Sequence, residues 1–227
     1  MSSHIGKSDP ELGRKVQQRL EAIGLATPIT PDCHLDEDYK VGRIATAMKE
    51  VLSTIGLDLR DDSLNDTPVR VAKMFVKELF WGLDPDKFPK CTTVDNKFNY
   101  RNSFVLEKGI TVASCCEHHF VSIDGKATVA YIPHDKVLGL SKLNRIVQYF
   151  AKRPQVQERL TEQIAEALTL VAGTPDVAVY IDAAHFCVKM RGIQDVGCST
   201  ITLATRGRFS EPDSEVRREF LAEARAK

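Results

Sequence analysis

No stretch of this chain approaches the roughly 18 consecutive apolar residues expected of a membrane-spanning helix. Net charge is also missing: 31 Lys and Arg balance 31 Asp and Glu in 227 residues. Without a global field, nothing draws the protein to nucleic acid or to an anionic membrane, and an anionic substrate would need a local basic cluster. Neutrality leaves self-association electrostatically unopposed. The segment Met1–Pro10 is polar and lacks the apolar core of a secretion signal. We therefore expect a cytoplasmic protein with neither nucleic-acid nor membrane partners. Internal repeats and low-complexity segments are absent as well. In a reducing compartment Cys33, Cys91, Cys115, Cys116, Cys187 and Cys198 do not read as a disulfide framework. Each is a small buried residue or a metal ligand.

What is present suits an ordinary globular protein whose core needs no staples. Leu12, Val16, Leu20 and Ile23 have helical spacing, and a second helix spans about Asp36 to Ile55 with Val41, Ile44, Ala45, Met48, Val51, Leu52 and Ile55 as its apolar stripe. A third opens at Thr67-Pro68 and ends near Trp81-Gly82. From Phe104 the pattern turns to alternation, with a break at Gly109. Asp124-Gly125, between two strand-like runs, predicts a hairpin turn. Ser141 is the expected cap of a helix that Pro154 breaks, and another helix runs to Gly173. Val177 to Met190 and Ser199 to Thr205 read as strands, and Ser214 to Ala224 as a last helix. The order predicts an α+β protein with a mostly antiparallel sheet: an N-terminal helical region over residues 1–95 and a sheet-bearing domain over 96–227.

Chemistry concentrates in Cys115-Cys116-Glu117-His118-His119 and, about seventy residues on, His185-Phe186-Cys187. If the second cluster is a strand, His185 and Cys187 share a sheet face. Cys116, His119 and Cys187 could then form a Cys₂His zinc site whose fourth position is open to an ionisable water. His118 and His185 would stand beside it for proton transfer. A closed structural site completed by Cys115, or no metal at all, fits the same residue types. Arg70 and Lys73, like Lys142 and Arg145 after Ser141, share helix faces, and Arg191 follows the second cluster. These are phosphate ligands if they converge, and solvated helix surface otherwise. Gln157-Glu158 opens a helix; a carboxylate there either offsets the helix dipole or accepts paired N–H donors such as guanine's.

These stretches closely resemble the GTP cyclohydrolase I family. The match runs through Asp66-Thr67-Pro68-Val69-Arg70-Val71-Ala72-Lys73, Cys116-Glu117-His118-His119-Phe120 and Gly139-Leu140-Ser141-Lys142-Leu143-Asn144-Arg145. It continues through Arg153-Pro154-Gln155-Val156-Gln157-Glu158 and His185-Phe186-Cys187-Val188-Lys189-Met190-Arg191-Gly192. The resemblance implies a tunnelling fold (T-fold) with a mostly antiparallel four-stranded sheet, helices on one face, and active sites shared in a homodecamer. It implies GTP as substrate, 7,8-dihydroneopterin triphosphate and formate as products, and a first step toward tetrahydrofolate or tetrahydrobiopterin. By the same resemblance Zn²⁺ is held by Cys116, His119 and Cys187, and His118 and His185 are catalytic. Glu158 and Gln157 read the guanine, while Ser141, Lys142, Arg145, Arg191, Arg70 and Lys73 surround the triphosphate. A related T-fold reductase relies on a cysteine nucleophile and lacks this ligand triad.

Overall fold

The computed structural model describes residues 7–226, the side chains of Pro31 and Cys33 apart, so Met1–Gly6 and the Cys33 thiol lie outside the described residues. Helix α1 (Pro10–Ala22) starts where Asp9 accepts from the Leu12 amide at 3.0 Å, and it buries Val16 and Leu20. Asp36 caps α2 (Glu37–Thr54) by accepting from two backbone amides. This helix lies along α3 (Thr67–Lys73), which runs directly into a π-helical segment, Met74–Leu79. Thr67 is the first helical residue, behind Asp66. The α2 stripe is only partly used within the chain: Ala45 is buried, but Val51 is 50% and Ile55 67% exposed.

The main sheet has strand order β5-β2-β3-β6-β7, built from β2 (Val105–Cys116), β3 (Ser122–Tyr131), β5 (Pro154–Gln155), β6 (Val177–His185) and β7 (Thr200–Thr205). Four strands are antiparallel as anticipated. The fifth, two-residue β5, runs parallel to the end of β2. A separate ribbon pairs β1 (Thr93–Asp95) with β4 (Lys136–Leu138). Gly109, at φ +73°, sits where the β2–β3 register slips between Glu107 and Ile110, so the expected break is a bulge and the strand continues.

One face of the sheet, carrying Val112, Val129, Val179 and Ile181, is covered by α4 (Ser141–Ala151) and α5 (Gln157–Ala172), joined by Val16 and Leu20 of α1. Helices are not confined to that face. On the opposite one α7 (Glu215–Arg225) packs Val216 and Phe220 against Ile132, Tyr180 and Phe209. Ser141 is the first residue of α4 and makes no capping bond.

Two local expectations are corrected. Asp124-Gly125 is no turn: β3 passes straight through it, with Gly125 opposite Val112 on one side and Ala183 on the other. The chain reverses instead at Glu117–Val121. Gly125 serves close approach, since a Cβ there would stand 2.2 Å from the Asp182 carbonyl oxygen and 2.4 Å from the Ala183 Cβ. Nor does the second strand reach Met190. Strand β6 ends at His185, and α6 (Phe186–Lys189) is a single helical turn, so His185 and Cys187 do not share a strand face. Gly125→Ala should therefore cost about 1–3 kcal/mol by forcing β3 and β6 apart. Calorimetry should show a lower unfolding midpoint; an unchanged one would mean the sheet absorbs the methyl group.

Candidate metal centre

The site forms where β2 and β6 both end. Cys116 is the last residue of β2, and its backbone closes a tight loop: its N–H donates to Val121 O at 2.8 Å and its carbonyl accepts from Phe120 N–H at 2.9 Å. Phe120 adopts φ +54°, rare for a bulky residue, and its ring packs against those of Phe75 and Phe80. That reversal folds His119 back toward Cys116. Pairing of Ile123 with His185 then delivers α6 and Cys187 to the same place.

The ligand atoms of Cys116, His119 and Cys187 all lie within 4.8 Å of one another. Two thiols and an imidazole converging this closely are a soft donor set suited to zinc or a similar ion. Burial pushes the Cys187 thiol up from its ordinary range, and Cys116 beside it pushes in the same direction. Cys115 is not among the converging ligands; it is buried, with its thiol raised to about 11 mainly by that burial. Among the described residues the set therefore numbers three, the count of an open site.

Other candidates gather in two places. Beside the triad, Arg191 Nη1 donates to His119 Nε2 at 2.9 Å, and His118, well exposed, has Nε2 3.8 Å from Glu117 Oε1. His185 Nε2 is 2.7 Å from Gln157 Oε1. Burial draws the His185 pKa down, and the exposed carboxylate of Glu158 acts against that shift. Gln157 is buried, with its amide turned into the protein. Elsewhere, Lys73, Ser141 and Arg145 line a cavity of about 960 Å³ between α3, α4 and the edge of β2. Lys142 and Arg145 are close enough for their charges to act on the half-buried Cys91 thiol. Arg70 pairs with Asp66 at 3.5 Å and is not part of that lining.

Several residues went unread in the sequence. Lys77 and Lys152 also line the basic cavity. Lys77 stands one turn beyond Lys73 and Lys152 two turns beyond Arg145, a spacing that could have revealed them. Glu117 forms an ion pair with Arg159, tying the metal loop to the first turn of α5. No motif marks that pair, because it depends on two segments meeting.

A family profile described as GTP cyclohydrolase I matches residues 44–225. Curated relatives named GTP cyclohydrolase 1 from Enterobacter sp. (strain 638) and Escherichia coli (strain K12 / DH10B) are each 53% identical over 211 residues, covering 92% of this chain and 94% of theirs. The apo crystal structure of archaeosine synthase QueF-Like aligns with 46% of this chain and 94% of its own at 21% identity and a TM-score of 0.39.

Metal binding here should be pH-dependent. Protons compete with the metal for both sulfurs, so affinity falls as pH drops and rises toward about tenfold per pH unit for each thiol proton released. Competition against a chromogenic chelator between about pH 6 and 8 measures this; a flat profile would remove the thiolates from the ligand set.

Proposed function

Since the chain belongs to the GTP cyclohydrolase I family, we propose that it is a zinc-dependent hydrolase turning GTP and water into 7,8-dihydroneopterin triphosphate and formate. The observation that carries this reading is the convergence of Cys116, His119 and Cys187, with the His118 ring 6.4 Å from that of His119. Bound at the three ligands, zinc would supply Lewis acidity at the purine C8.

The chain's own groups do the rest. Glu158, exposed at the start of α5, accepts N–H bonds from guanine's N1 and exocyclic amine. Its charge is felt at His185, consistent with the base lying near both. His118 moves protons at N7 as the C8–N9 bond is hydrolysed to leave a formamide. Water then cleaves the formamide to release formate. The freed amine attacks the rearranged ribose carbonyl, and loss of one water closes the pterin ring. Lys73, Ser141, Lys142, Arg145, Arg191 and Arg70 are the triphosphate ligands in this reading, fixed positive charge that holds the substrate throughout.

The reading includes a homodecamer with sites shared between subunits. The exposed apolar side chains of Val51, Ile55, Ile193 and Ile201 support self-association. The separate basic cavity supports completion of a site by more than one chain. No helix among the described residues is long and apolar enough to cross a membrane, and we place the enzyme in the cytoplasm, at the first step of reduced-pterin synthesis.

Incubating zinc-loaded protein with GTP should yield formate and, after oxidation, pterin fluorescence, both abolished by a chelator. Formate without pterin would limit the activity to ring opening, and neither product would refute the reading. Glu158→Gln should weaken GTP binding by about 2–5 kcal/mol, because a charge-assisted pair is lost. Unchanged affinity would assign base recognition to another residue.

A further inference from the structure

Gln157 neighbours Glu158 in sequence, yet its side chain has a different set of partners. It is 1% exposed, and its Nε2 donates to Thr200 O at 2.9 Å, Thr202 Oγ1 at 3.0 Å and Ile181 O at 3.3 Å. Its Oε1 lies 2.7 Å from His185 Nε2. Two of the acceptors are backbone carbonyls, which can only accept. Turning the amide over would press Oε1 against both, so its orientation is settled by its surroundings. The threonines point the same way. Thr161 Oγ1 donates to the Gln157 carbonyl at 2.8 Å, which uses its single hydrogen. Thr202 must therefore donate across the 2.6 Å contact to Thr161, leaving its oxygen to accept from Gln157.

A fixed acceptor at Oε1 requires a hydrogen on His185 Nε2, whichever protonation state the ring adopts. We propose that Gln157 is a positioning residue that holds His185 in its Nε2–H form, leaving Nδ1 as the only ring nitrogen that can take or give a proton during turnover. The directing bonds originate in β6 and β7, behind the site, so the tautomer is set by the sheet before substrate arrives. Gln157 would then contribute no side-chain contact to the purine. The reacting partner of His185 rests on the cyclohydrolase reading; the direction of the hydrogen bonds does not.

The test has two parts. Protein with ¹⁵N-labelled histidine rings, with His185 assigned by loss of its signals in His185→Asn, should show His185 protonated at Nε2. A proton on Nδ1 with Nε2 bare would overturn the proposal, and this result needs neither substrate nor a buried substitution. Gln157→Leu keeps the approximate volume and removes every directing bond. It should lower kcat by about tenfold to a thousandfold while GTP KM stays within about threefold, the signature of lost orientation as opposed to lost binding. A large rise in KM with kcat retained would make Gln157 a base reader after all, and unchanged constants would remove it from the reaction. If the unmutated protein failed to act on GTP, the tautomer measurement would still decide the lock, so the two failures are distinguishable.

Discussion

The pairing of Cys115–Cys116 with Pro154–Gln155 is the contact on which the neighbourhood of the site depends. It is only two residues long, yet it joins the end of the strand carrying Cys116, the first candidate metal ligand, to the start of the helix carrying Gln157 and Glu158. Glu117 N–H extends it by donating to Gln155 O at 3.0 Å. The Glu117–Arg159 ion pair closes the same junction from the side-chain direction, with Arg159 Nε also donating to Gln155 Oε1 at 3.2 Å.

Such a short pairing is held by what lies beneath it. Gln155, fully buried, donates to Phe150 O at 2.9 Å and to Gln163 Oε1 at 2.8 Å; Gln163 in turn donates to Leu25 O at 2.7 Å. Each such group would cost about 1–3 kcal/mol if left unpaired in the interior, so the network favours one arrangement of the loop between α4 and α5 over its neighbours. Arg153 extends the network to Thr27 and Gly82, with no carboxylate partner among the described residues. Its guanidinium carbon lies 4.8 Å from the Tyr149 ring centroid and 4.9 Å from that of Phe150, and these ring faces offset part of the cost of burying its charge. The segment after α1 is thereby tied, through buried polar groups, to the loop between α4 and α5 that pairs with the end of β2.

Legibility in the sequence followed the range of the interactions. The helical stripe of α1 and the alternation along β2 are local effects of side chains on their own backbone, and they read correctly; the caps at Asp9 and Asp36 are equally local but went unread. Asp124-Gly125 did not, because a glycine needed for a turn and a glycine needed for close strand approach look identical until the neighbouring strand is placed. The run after His185 read as strand because Phe186, Cys187 and Val188 all suit a pleated surface; only the folded chain shows that the sheet ends there. On α2 the apolar stripe was visible, but a periodic pattern does not say whether the surface that covers it belongs to the same molecule.

The candidate site divides along the same line. By itself the sequence determined which residues could bind a soft metal, move protons or hold phosphate, since those abilities reside in the side-chain groups, and the order of its motifs determined the family. The tertiary structure decided which of them meet. It brought Cys187 to Cys116 and His119 by a helical turn, left Cys115 out of the set, gathered Lys77 and Lys152 into the basic cavity, and turned the amide of Gln157 away from its neighbour Glu158 and onto His185. Those outcomes depend on backbone carbonyls of distant strands coming within hydrogen-bonding reach, and no local pattern of residues carries that information.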